Sequence, residues 1–204
     1  MKKIRLALLL TGLLTTSSWV YADNEAVWTS SYSLEAGKKY AEALTALDAI
    51  PASGADGQLL LLRKGWLTYL QGEYNDSAKY YQEALQQNPK SLDAMLGMTL
   101  PLLAQQRWQE AAVYAKQVLN VAPNQYTAYL RLIVAEEGVH DWESMKKHAE
   151  ELTEHYPTDT TAFVYLARAY AWLGDKESAK KTYSAVLVRM PKHLEAAAYL
   201  SKNS

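Results

Sequence analysis

Residues 160–193 read TTAFVYLARAYAWLGDKESAKKTYSAVLVRMPKH. Within them Phe163, Leu166, Ala167 and Tyr170 recur at helical spacing, Gly174-Asp175 interrupts, and Ala179, Tyr183, Val186 and Leu187 resume the pattern. The stretch predicts two helices joined by a tight turn. Gly174 stops the first because glycine adopts left-handed backbone without strain, and Asp175 caps the second by accepting from its free amides. Pro191 ends the second helix from outside, since it pushes Met190 out of the α region.

Outward from this stretch the same unit recurs. Pro89, Pro123, Pro157 and Pro191 follow one another at a constant interval, and the same interval separates Tyr40, Tyr74, Trp108 and Trp142 and runs through the small or slim series Ala43, Ser77, Ala111, Met145 and Ala179. Three interleaved markers with one period divide the chain into units at 24–57, 58–91, 92–125, 126–159 and 160–193, with a capping helix over 194–204. The joint carries Gly72 in the second unit and His140-Asp141 in the fourth, and Ser91, Asn124 and Asp159 are placed to cap the next helix. No segment sustains period-two alternation, so the fold class is all-α. Small Ala43, Ser77, Ala111 and Ala179 admit close helix approach, and Tyr81 and Tyr183 fill the space between neighbouring pairs. Pro101, four residues after Gly97, predicts a kink in the first helix of the third unit or a late start to it, because an interior proline deletes a backbone hydrogen bond at a cost of about 3 kcal/mol.

A 34-residue helix-turn-helix unit with these residues resembles the tetratricopeptide repeat (TPR) family. The fifth unit matches the family pattern with Phe163, Leu166-Ala167, Tyr170, Ala179, Tyr183 and Pro191; the second keeps Gly65, Tyr81, Ala84 and Pro89. The third and fourth keep mainly Trp108, Ala111, Pro123 and Trp142, Leu152, Pro157, and the first retains Tyr40 and Ala43 but has Ala55 where the proline belongs. The resemblance implies a right-handed α-solenoid of about five stacked units plus a C-terminal capping helix, since one helix pair cannot bury its apolar face alone. It also implies a non-enzymatic protein-protein interaction module. Its first helices would line a concave groove for a partner segment, formed by Trp28, Tyr32, Leu62, Trp66, Tyr69, Leu96, Leu100, Leu103, Leu130, Val134, Val164, Arg168 and Trp172. That row is apolar and aromatic. The family's carboxylate clamp needs Lys, Asn and Arg in these places, and Arg168 alone complies, which disfavours capture of an acidic tail.

Composition narrows the rest. The 204 residues contain no cysteine, are 49% hydrophobic and 21% charged, and carry 15 Tyr and 6 Trp against one Phe. Such a chain is too apolar for a disordered polyelectrolyte and has neither disulfides nor thiolate ligands. Lys2, Lys3 and Arg5 precede the apolar run Leu6–Leu14, too short to span a bilayer, and Val20-Tyr21-Ala22 offers small residues where a signal peptidase reads. Residues 1–22 are expected to be a signal peptide cleaved after Ala22, leaving 23–204 in the periplasm or secreted. Losing those three cations takes the formal charge from −1 to −4, the wrong sign for nucleic acid. Expected partners are a peptide segment or helix of a bacterial envelope complex, or a second copy of the chain in a self-assembling scaffold, with no stable membrane insertion.

Catalytic and metal motifs are weak. His148, Glu151 and His155 share one helical face, as metal ligands would, but Lys146, Lys147, Glu150 and Glu154 make that face an ordinary solvated one. Gly54 and Gly57 lie in a connection between units, not in a phosphate-cradling turn, and no serine has a nucleophile-elbow context. Neither an enzyme nor a cofactor is expected.

Overall fold

The computed structural model describes residues 17–51 and 56–203, so most of the expected export segment lies outside the described residues. The chain runs α1 (Ser17–Ala36), α2 (Tyr40–Ala46) with a 3-10 turn at Leu47–Ala49, α3 (Gly57–Gln71), α4 (Tyr74–Gln87), α5 (Leu92–Ala104), α6 (Trp108–Val121), α7 (Tyr126–Gly138), α8 (Trp142–His155), α9 (Thr160–Trp172), α10 (Lys176–Arg189) and α11 (Leu194–Lys202). Strands are absent among the described residues. Second helices start at Tyr40, Tyr74, Trp108, Trp142 and Lys176, and first helices at Leu92, Tyr126, Thr160 and Leu194, both series keeping the interval of the prolines. None of these helices is long and apolar enough to cross a membrane. Helix α1 begins at Ser17, upstream of the expected unit start near Asn24.

Local chemistry sets these boundaries. Ser91, Asp141, Asp159 and Asp175 each accept a hydrogen bond from the amide three residues on, as N-caps do. At α7 the cap is Gln125, accepting from Ala128 N at 3.0 Å, in place of the expected Asn124. The longer glutamine side chain reaches the same amide from the residue immediately before the helix. Within each pair the first helix ends at a residue with left-handed backbone: Lys38, Gly72, Gln106, His140 and Gly174, again at the constant interval. Only two of the five are glycine, so at Lys38, Gln106 and His140 packing of the pair holds an L-residue in strained backbone, at about 1–2 kcal/mol each. Pro101 does not delay its helix. Helix α5 starts at Leu92 under the Ser91 cap and continues to Ala104 with Pro101 buried inside it.

Consecutive helices pack antiparallel, and each pair stacks on the next, forming an α-solenoid. The seam between pairs is apolar. Tyr81 of α4, 3% exposed, lies between α3 and α5 with its ring against Gly65 and Gly97; a Cβ at Gly65 would sit 2.9 Å from Tyr81 Cζ, and one at Gly97 would overlap the ring. Ala84, Ala94, Met98, Leu102 and Ala111 complete this seam, while Tyr129, Ile133, Met145, Leu152 and Leu166 form its counterpart between the fourth and fifth pairs. Ala43, Ser77, Ala111, Met145 and Ala179 are fully buried at the crossings. Polar contacts keep the same rhythm: Tyr156 donates to the Asn124 carbonyl at 2.6 Å and Arg189 to the Pro157 carbonyl at 2.7 Å, each joining neighbouring units, and Tyr126 donates to Asp159 at 3.1 Å, tying the start of the fourth unit to its end.

Candidate protein-binding face

The first helices of successive pairs lie side by side, α3 against α5 and α5 against α7, in a continuous inner row. One column along this row recurs once per unit: Arg63, Gly97, Arg131, Tyr165 and Tyr199. The arginines of the row, Arg63 and Arg131 in this column and Arg168 one turn after Tyr165, differ in how they are satisfied.

At the N-terminal end Arg63 is buried and fully engaged. It forms an ion pair with Glu35, donates from Nη2 to the Ser31 carbonyl at 3.1 Å, and lies over the Tyr32 ring at 3.9 Å. The other Glu35 oxygen accepts from Trp66 Nε1 at 2.7 Å, and the Trp66 ring stacks on Tyr69 with centroids 5.7 Å apart. This carboxylate gathers the N-terminal aromatic cluster around one charge pair.

At the C-terminal end Arg168 forks onto Glu195 of the last helix, Nε to Oε1 at 2.8 Å and Nη2 to Oε2 at 2.6 Å, and reaches Glu137 at 3.4 Å. Tyr183 donates its hydroxyl to Glu195 at 2.8 Å. The Arg168 hydrogen bonds hold the Glu195 carboxyl below the usual glutamate range, and burial, reinforced by Glu195, raises the Tyr183 hydroxyl well above the tyrosine range. The guanidinium that could have met a partner is thereby committed to fastening α9 to α11.

Between these ends Arg131 of α7 is half-buried and has neither an ion pair nor a hydrogen bond among the described residues. Burial pulls it below the ordinary arginine range, and the groups that feel its charge are the tyrosines Tyr69, Tyr165 and Tyr81. Thr127, Leu130 and Val134 share its half-buried stripe, and Leu96 and Leu103 lie on the neighbouring α5. Along the turn edge Trp172, 65% exposed, stacks on Trp142 at 5.0 Å and 6°, and Trp142 stacks on His140 at 5.1 Å. One unit earlier Trp108 covers Gly138, where any side chain would collide with the indole.

Residues 69–133 match one tetratricopeptide repeat family model and residues 161–193 match another. The chain is a tetratricopeptide repeat protein. A search of curated protein sequences finds no match. Among solved structures it is similar in fold to a tetratricopeptide repeat protein from Parabacteroides merdae, with TM-score 0.78 and 14% identity over 89% of this chain and 72% of that one. MamA from Desulfovibrio magneticus superposes with TM-score 0.76 and 17% identity over 84% and 97%. YrrB, described as a TPR protein with an unusual peptide-binding site, gives 0.72 and 15% over 87% and 91%.

The TPR register places the thirteen expected groove residues unevenly. Trp66 with Tyr69, Leu62, Leu96, Leu103, Leu130 and Val134 are half-buried on the first helices, and Tyr32 and Trp172 are exposed. Leu100 and Val164 are 9% and 7% exposed, so they underlie the row rather than present a surface. Trp28 packs on the core cluster shared by the first pair and α3, which includes Leu47 and Leu60, and Arg168 is held by Glu195. Reading the sequence for apolar positions passed over Glu35, Arg63, Arg131 and Tyr165. The once-per-unit column that contains three of them was the available signal. Of the candidate metal ligands, His148 Nδ1 faces Glu136 at 2.9 Å, whereas Glu151 and His155 both meet Tyr129, Glu151 accepting its hydroxyl at 2.9 Å and the His155 ring tilting against its ring. Burial, aided by the Glu151 hydrogen bond, pushes the Tyr129 hydroxyl up to about 12.

Proposed function

We propose that this TPR array is a non-enzymatic interaction module that holds a segment of another protein along the inner row of its first helices. The observation that carries the reading is that row: Tyr32, Trp66, Tyr69, Leu96, Leu130 and Val134 keep part of their apolar surface open, although the same helices bury their opposite sides completely. Aromatic and aliphatic side chains that a solenoid does not need for stacking are those that anchor interfaces. The described peptide-binding site of the similarly folded YrrB supports the reading. On this reading the module holds a partner and does not transform it.

We further propose that the module acts in the bacterial envelope after export, as the basic start and short apolar run of residues 1–22 argue. The mature chain should begin at Asp23 and leave the cell on osmotic shock without detergent; an uncleaved, membrane-held chain would refute this part. For the binding face, a photo-crosslinking residue at Leu96 on the inner row should capture one discrete protein in living cells, and the same residue at exposed Val113 on α6 should not. Capture of a second copy of the chain would favour the scaffold reading. Equal yields from both positions would overturn the inner face as the site.

A further inference from the structure

The inner row carries three arginines, and their environments differ in one respect. Arg63 has Glu35, Arg168 has Glu195 and Glu137, and Arg131 between them has no carboxylate partner among the described residues. A half-buried guanidinium in that condition has lost part of its hydration and gained nothing ionic for it, an arrangement that costs stability unless something else supplies the charge. Its surroundings are not random. Gly97, the column residue one unit before it, leaves room for the Tyr81 ring, and the groups that act electrostatically on Arg131 are Tyr69 of α3, Tyr165 of α9 and Tyr81. No hydrogen bond within the protein engages any of these three hydroxyls among the described residues. Phenols keep their protons at neutral pH, and burial raises Tyr81 and Tyr165 further above an already high range. The group therefore presents donors: a forked cation and neighbouring phenols. A carboxylate is the complementary acceptor, two oxygens against the guanidinium fork.

We propose that Arg131 is the polar anchor of the inner face and takes one Asp or Glu side chain of the partner segment, with Tyr69, Tyr81 and Tyr165 around it. The acid is a side chain within the segment, not its terminus, because apolar surface continues on both sides of Arg131, through Leu96 and Leu103 on α5 and Leu130 and Val134 on α7. A single carboxylate is the right number. The other two guanidiniums of the row are already neutralised, so a run of acidic residues would find one cation and repel itself.

The inference rests on the inner face being the binding face, and its test separates the two. Random peptides displayed on phage through their C-termini, which leaves no free terminal carboxylate, are selected on the wild-type protein and on Arg131→Gln. The wild type should enrich apolar peptides with one Asp or Glu at a fixed position, and Arg131→Gln should enrich peptides without it. For a selected peptide made with both ends capped, changing its Glu to Gln should weaken binding to the wild type about thirtyfold and to Arg131→Gln hardly at all. Arg131→Gln should also melt at a higher temperature than the wild type in the absence of peptide, which a structurally required arginine would not do. Enriched peptides without an acidic position, or a Glu-to-Gln change felt equally by both proteins, would overturn the role of Arg131 and leave the groove standing. Failure of any peptide to enrich on either protein would overturn both. A lower melting temperature for Arg131→Gln would overturn the claim that the cation lacks a partner.

Discussion

Tyr81 and Trp66 are both aromatic residues contacting the row of first helices, and their surroundings make them opposites. Tyr81 comes up from α4 into the seam between two helix pairs, where Gly65 and Gly97 are cut back to admit its ring and only 3% of its surface stays exposed. Trp66 stands on the inner face of α3, half-buried, its indole N–H donating to Glu35 and its ring lying on Tyr69. The seam is filled by shape, so it has no spare capacity. The inner face is held by a few directional contacts and leaves apolar surface open. A solenoid whose stability comes from its seams is free to vary its inner face, and that freedom is what makes such a face usable for binding.

The comparison breaks most sharply at Tyr81. Tyr81→Ala should lower unfolding stability by about 3–5 kcal/mol, read as a fall in the urea midpoint, because it empties a site that two glycines and the flanking helices cannot close. Gly97→Ala attacks the same contact from the other side. Its methyl would overlap the Tyr81 ring, so a loss of about 1–3 kcal/mol is expected, and combining it with Tyr81→Ala should cost less than the two losses added, since one ring carries both. Independent, additive losses would mean that the seam is not organised around Tyr81.

Trp66→Ala should cost about 1–2 kcal/mol of stability, from a half-buried ring and one hydrogen bond to a carboxylate, while weakening partner binding by about 2 kcal/mol or more. Trp66→Phe should separate the two effects, keeping most of the binding and losing the Glu35 contact. If Trp66→Ala unfolds the protein as badly as Tyr81→Ala does, the inner face is a second seam.

Acid probes the C-terminal tie of the inner face. Glu195 has its folded-state pKa depressed chiefly by Arg168, so its contribution is fully present above the unfolded glutamate value of about 4.3 and is lost as pH falls through the lower folded value. Wild type should therefore exceed Glu195→Gln in stability by a constant margin from neutral pH down to about pH 5, and the margin should shrink in more acid solution. A margin that is flat throughout would mean that the carboxylate charge contributes nothing at Arg168. The smallest effect belongs to the bends that join the two surfaces. Gln106→Gly should raise stability by about 1 kcal/mol by relieving left-handed backbone, measured by thermal unfolding.

The helix-pair repeat was legible because its evidence is local and recurrent. A proline, an aromatic and a small residue at one interval announce a helix pair wherever they occur, and the caps Ser91, Asp159 and Asp175 lie beside the helices they start. The bends were half legible: glycine marks Gly72 and Gly174, and His140-Asp141 marks the joint of the fourth unit, whereas Lys38 and Gln106 adopt the same backbone without a sequence sign, since packing of the pair imposes it. The polar half of the inner face was hidden for another reason. Apolar periodicity says which side of a helix faces inward, but charge pairing depends on which side chains two helices bring within reach across a unit boundary.

What the sequence by itself determined is thus the period, the helices and the residues of the seams, all set by interactions within one unit or repeated identically in the next. Only the tertiary structure decided that Arg63 meets Glu35, that Arg168 meets Glu195, and that Arg131 meets no carboxylate among the described residues. Glu35 and Glu195 come from 28 and 27 residues away, across the stacking of neighbouring first helices, and no spacing rule within a helix reaches that far.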